Sequence, residues 1–163
     1  MLFTDFTYEE LRELQPEVQA VLIPLGCTEQ QGPHMRVDFD TRMVTRLCVD
    51  AAAVLDGEGR KILVLPGLPF GPTPEHRGFG HGYVNLRQST HEAIVLDILN
   101  SLAEQEYRRL IVWRGCGQHE LGRPIQEFNA SSSVARAYQP LSDYGAICDI
   151  VLGPGIIGGH ADS

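Results

Sequence analysis

Apolar residues in this chain come either as short dense runs or as sparser stripes at helical spacing, with loops rich in glycine, proline and polar groups between them. Thr7 followed by Glu10 matches a capping box and opens a short helix through about Leu14, which Pro16 ends. Val18 to Leu25 is an apolar run of the kind that forms a strand buried on both faces. Asp40 stands where an N-cap belongs, and Val44, Leu47, Cys48, Ala51 and Leu55 form the stripe of the helix that follows. Asp56 to Gly59 is a turn.

The second strand is predicted over Lys61 to Leu65, before a long loop of glycine and proline from Pro66 to Gly82. A helix from about Ser89 to Glu104 carries Val95, Ile98, Leu99 and Leu102 on one side. Leu110 to Trp113 reads as the third strand, and a glycine-rich loop leads to a helix near Arg123 to Tyr138. Ala146 to Val151 is predicted as the fourth strand, with a glycine-rich remainder to Ser163. Strands alternating with helices imply right-handed crossovers and a mostly parallel sheet covered on both faces. The expected fold is therefore α/β, a three-layer α/β/α sandwich in one domain over residues 1–163. Loops that leave the carboxyl ends of such strands carry the ligands, and here they hold most of the polar, titratable and glycine residues.

Charge narrows the partners. With 13 basic against 21 acidic residues the formal charge is -8, and Lys61 is the only lysine, which argues against a nucleic acid or an anionic membrane surface. No stretch approaches the roughly 18 to 20 apolar residues that cross a bilayer. The N-terminus from Met1 to Glu13 is acidic and broken by polar residues, unlike a signal peptide. Cys27, Cys48, Cys116 and Cys148 are scattered with no C-x-x-C pair, as expected of reduced thiols in the cytoplasm.

The candidate chemistry lies in three loops. The first holds Glu29, His34, Asp38 and Asp40, the second Glu75 and His76, and the third runs Gly115-Cys116-Gly117-Gln118-His119-Glu120. Carboxylates with nearby imidazoles are the makings of a divalent metal site; a helix cap and solvated loop residues are the bland alternative. His91, at the start of a helix, reads as structural or surface-exposed.

The segment Pro24-Leu25-Gly26-Cys27-Thr28-Glu29-Gln30-Gln31-Gly32-Pro33-His34 resembles the creatininase-family signature P-x-G-S-x-E-Q-H-G-P-H, and Asp40 follows Glu29 by the eleven positions at which that family places its metal-binding aspartate. Glu75 to Leu86 is similar to the family's E-H-x-x-F-P-G-T-x-x-L, Cys116 to Leu121 occupies the place of N-G-H-x-x-N, and His160-Ala161 looks like the start of H-A-G-x-x-E-T-S. The resemblance spans about residues 18 to 163. It implies a pair of divalent ions, commonly zinc or manganese, and a metal-activated water that attacks a cyclic or linear amide of a small molecule. Glu29, Asp40 and Glu120 match ligands, Glu120 also sits beside the chemistry, and His160 matches the histidine proposed to shuttle protons. The same resemblance implies a homo-oligomer, frequently a hexamer, and substrates ranging from creatinine and formylated pyrimidine intermediates to peptides.

Departures from the family pattern bear on the metal. Gln31 and Gln118 stand where the family has ligand histidines, and Cys116 stands where it has asparagine. A Gln carbonyl is a hard oxygen donor, so the substitutions favour manganese or magnesium over zinc, or no metal at all. His34 or His119 could serve as substitute ligands. Three facing carboxylates without a cation should raise at least one pKa. The chain is also expected to lack the family's C-terminal portion, leaving apolar surface for another copy to cover. Two other readings remain: a cysteine hydrolase using Cys27 or Cys116 with His34 or His119, and a non-catalytic ligand-binding or assembly subunit that has lost its metals.

Overall fold

The computed structural model describes residues 1–140. The capping box forms as predicted: the Thr7 hydroxyl accepts the Glu10 amide and the Glu10 carboxylate accepts the Thr7 amide, opening α1 (Tyr8–Leu14). It leads through a tight turn at Gln15–Glu17 into β1 (Val18–Leu25). The remaining elements are α2 (Phe39–Gly57), β2 (Lys61–Val64), α3 (Gln88–Glu104), β3 (Arg109–Arg114), α4 (Gly122–Ser131) and β4 (Arg136–Tyr138).

The four strands form one parallel sheet in the order β2-β1-β3-β4. Side chains alternate across β1, so each face meets a different helix layer. Val21, Ile23 and Leu25 pack with Leu110 and Val112 against Val95, Leu99 and Leu102 of α3 and Phe128 of α4. Ala20 and Leu22 pack with Ile62 and Val64 against Val44, Cys48 and Ala52 of α2. The result is the expected three-layer α/β/α fold. Among the described residues no helix is long and apolar enough to cross a membrane.

Several expectations are corrected. The helix predicted to Tyr138 stops at Ser131, and Arg136–Tyr138 joins the sheet instead. Serine side chains compete for backbone groups at this point: Ser131 donates to the carbonyls of Glu127 and Phe128, and Ser132 accepts from the Ala135 amide. Asn129 then clamps the new strand by bonding both backbone groups of Ala137. The strand predicted over Ala146 to Val151 lies outside the described residues.

On α2 the buried stripe is Val44, Cys48 and Ala52, one residue per turn, while Leu47 is 48% exposed. The N-cap position belongs to Asp38, not Asp40, and Asp38 makes no side-chain cap. Its carboxylate is instead held by Arg36 and Arg42. Asp40 sits one residue inside the helix and is buried against the sheet edge. Gly26 makes that approach possible, because a Cβ there would lie 2.4 Å from the Thr41 backbone.

Candidate metal centre

The chain passes from β1 to β2 on one side, then crosses to β3 on the other. The strand order therefore reverses between β1 and β3, which is where open parallel sheets form their ligand crevice. Leu25 pairs with Arg114 in register, and the Gly115 amide donates to the Leu25 carbonyl at 2.7 Å. Two residues beyond each strand end, that register brings Cys27 and Cys116 together. Both thiols are buried.

Around them stands a polar cluster from three loops and one helix. One donor atom each from Cys27, Glu29, Asp40 and Cys116 lies within 4.8 Å of the others, and all four residues are buried. The Cys27 thiol donates to Asp40 Oδ2 at 2.9 Å. Gln31 Nε2 donates to Glu29 Oε1 at 3.2 Å and to Asp40 Oδ2 at 3.3 Å. The amide thus presents its N–H group, not its carbonyl, to both carboxylates. Cys116 donates to the Gln118 side-chain oxygen at 2.9 Å.

Further imidazoles complete the surroundings. His76 Nε2 lies 3.4 Å from Glu29 and 3.3 Å from Glu75. Arg114 donates to the carbonyls of Gly117 and His119, which folds the third loop so that His119 turns inward and is fully buried. Its ring packs against His91 with centroids 4.6 Å apart and planes tilted by 54°, and His91 is itself fully buried, so the surface-exposed option for His91 is excluded.

Burial sets the protonation of this cluster. Removal from water, with Asp40 beside it, raises the Glu29 pKa to about 8, so the carboxyl is protonated at neutral pH. The neighbouring Cys116 thiol, burial and the Asp40 carboxylate hold Cys27 well above the usual thiol range. Burial lowers His91 to about 4, and burial with the charges of His91 and Arg114 lowers His119 to about 3. Both imidazoles are neutral and keep a lone pair. A nucleophilic cysteine needs the opposite, a stabilised thiolate beside a base, so the cluster does not favour the cysteine-hydrolase reading.

Of the residues singled out in the sequence, the fold brings Glu29, Gln31 and Asp40 into one cluster and places Gln118 against Cys116. His34 and Glu120 are exposed and lie outside the groups of converging donors. His160 falls outside the described residues. Sequence reasoning left Cys27, Cys116 and His76 out of the ligand set and named His119 only as a substitute for a replaced histidine. Register was the missing signal for the thiols. For His119 it was the inward turn that Arg114 imposes.

The family model for creatinine amidohydrolase matches residues 4–151. A mycofactocin precursor peptide peptidase of Mycolicibacterium smegmatis is 32% identical over 105 residues, 62% of this chain and 41% of that protein. A creatinine amidohydrolase of Pseudomonas putida is 30% identical over 99 residues, 58% of this chain and 36% of that protein. The chain thus spans about two fifths of the curated relatives it matches. A solved creatinine amidohydrolase superimposes with a TM-score of 0.76 at 21% identity, over 98% of this chain and 67% of that one. Creatininase structures of a Zn-Zn type mutant and of a Mn form each give a TM-score of 0.71 at 21% identity, over 98% of this chain and 66% and 68% of theirs. At that identity the structures bear on the fold alone.

Proposed function

The chain belongs to the creatininase family, and on that premise we propose that it is part of a metal-dependent amidohydrolase that cleaves a C–N bond in a small amide. The observation that carries this reading is the buried convergence of Glu29 and Asp40 with the two thiols at the reversal of strand order. Two buried carboxylates, one of them holding its proton at neutral pH, fit a divalent ion: the ion would take the place of the proton and satisfy both groups.

Glu29 and Asp40 would hold the ion, and Gln31 orients them through its shared amide. Glu120 would join them only by turning inward from the surface. The chemistry supplied at such a centre is polarisation of an amide carbonyl and activation of water. A cleft of about 410 Å³, lined by Pro72, Glu75, Asn85, Gln88 and Gln118, borders the cluster through Glu75, which meets His76, and Gln118, which meets Cys116. His76, between Glu29 and Glu75, is placed to take up the proton that Glu29 gives up. His160 is the proposed proton carrier, which would take a proton from the attacking water as the C–O bond forms and pass it to the amide nitrogen as the C–N bond then breaks. By family likeness the working form is a cytoplasmic homo-oligomer, a hexamer, to be checked by light scattering.

One observation favours a second reading. The Gln31 N–H group already satisfies Glu29 and Asp40 without a cation, as a non-catalytic binding or assembly subunit would require. Metal content of the purified protein, with amide hydrolysis assayed after addition of zinc or manganese, separates the two. Stoichiometric metal with turnover supports the hydrolase. Neither metal nor turnover after reconstitution supports the subunit.

A further inference from the structure

We propose that Cys27 and Cys116 are themselves metal ligands, forming with His119 a thiolate-based zinc site in place of the hard-oxygen site that Gln31 and Gln118 would suggest. The proposal deepens the metal-dependent reading above and rests on it.

Three features of the fold support it. Cys27 and Cys116 belong to both of the buried donor groups that converge here: one joins them to Glu29 and Asp40, the other joins them to His119, and in each the donor atoms lie within 4.8 Å of one another. The thiol pair is therefore the common element of the centre. With zinc bonds of about 2.0 to 2.3 Å, donors around a tetrahedral ion stand roughly 3.3 to 3.8 Å apart. Within each of the two groups no donor pair exceeds 4.8 Å, so about an ångström of contraction would reach that spacing, and Cys27 Sγ already lies 2.9 Å from Asp40 Oδ2.

The second feature is His119. It is fully buried, and neither ring nitrogen has a hydrogen-bond partner among the described residues. A buried imidazole without a partner is costly, yet its ring is fixed from several sides. Arg114 holds its backbone, the tilted ring of His91 packs against it, and Gly71 leaves room for it where a Cβ would overlap the ring. Coordination is the interaction that would satisfy it.

The third feature is what the glutamines do. Gln31 turns its N–H group toward the carboxylates, and the Gln118 oxygen accepts from Cys116. The Gln31 amide is thus engaged by the two carboxylates, and the Gln118 oxygen meets the cluster through the Cys116 thiol. Two sulfurs and an imidazole select zinc or cobalt over manganese or magnesium.

The test uses the full chain loaded with zinc or with cobalt(II). Zinc-edge X-ray absorption should show sulfur scatterers at about 2.3 Å, and the cobalt form should show a thiolate-to-metal charge-transfer band in the near ultraviolet. Both signals should disappear in Cys27→Ser/Cys116→Ser, with zinc affinity falling at least tenfold, and should persist in Gln31→Ala. Bound metal surrounded only by oxygen and nitrogen in the unmodified protein would overturn the thiolate site while leaving the metal-dependent reading intact. Failure to bind zinc, cobalt or manganese would overturn both. Because the spectra are read on the unmodified chain, the outcome does not depend on the variant folding.

Discussion

The layer between the sheet and α3–α4 and the carboxyl edge of β1 and β3 are equally buried but built by opposite rules. The first is apolar but for the Tyr107 hydroxyl: Leu99, Leu110 and Phe128 interlock with Val21 and Leu25, and none of these five has a polar atom to satisfy. The second buries the carboxylates of Glu29 and Asp40, the thiols of Cys27 and Cys116 and the imidazoles of His76 and His119 in overlapping groups. Apolar burial stabilises the chain whatever else is bound. Buried titratable groups stabilise it only when partnered, and otherwise they are a load that the apolar layer carries. On the proposed reading, a bound ion is what would relieve that load.

The largest effect should come from the apolar layer. Phe128→Ala removes a side chain that is 1% exposed and should lower unfolding stability by about 3 to 5 kcal/mol in urea titrations, with metal affinity unchanged. A loss under about 1 kcal/mol would break the comparison by showing that this layer is not where stability lies.

At the edge the sign should reverse. Folded, metal-free protein keeps the Glu29 proton up to about pH 8, whereas the unfolded chain releases it in the ordinary glutamate range. Between those values the folded state binds the extra proton, so stability must fall as pH rises through the window and level off above about 8. Glu29→Gln should flatten that slope and stabilise metal-free protein at pH 8 by roughly 1 to 3 kcal/mol, while weakening metal binding. Chemical denaturation at a series of pH values with a chelator present reads both. Zinc added to the unmodified protein at pH 8 should restore what the pH rise removed.

Two smaller effects calibrate the scale. Thr7→Ala removes the exposed capping box at the start of α1 and should cost about 1 kcal/mol. Leu47→Ser, on the exposed side of α2, should shift thermal stability by no more than about 0.5 kcal/mol; a larger loss would mean that the side chain is covered in solution by another copy.

Much of this was legible in the sequence because it is written in local spacing. The capping box, the burial of β1, the boundaries of α3 and the crowding of polar loops at one sheet edge follow from periods of two and 3.6 and from turn chemistry. The motif from Pro24 to His34 carried the family. Short-range competition between α-helix and side-chain hydrogen bonds was harder to read: the serines after Asn129 ended α4 early, and the arginines flanking Asp38 freed Asp40 from capping.

What the sequence determined by itself is the order of the elements and the edge on which the chemistry would gather. What only the tertiary structure decided is which of those groups meet. Cys27 and Cys116 are 89 residues apart, and nothing local links them. They come together because β1 and β3 pair Leu25 with Arg114, and in a parallel sheet a shift of one residue would turn either side chain to the opposite face. Register is a property of the packed sheet, fixed when both of its faces find their helices, and here it turns two isolated cysteines into one pair.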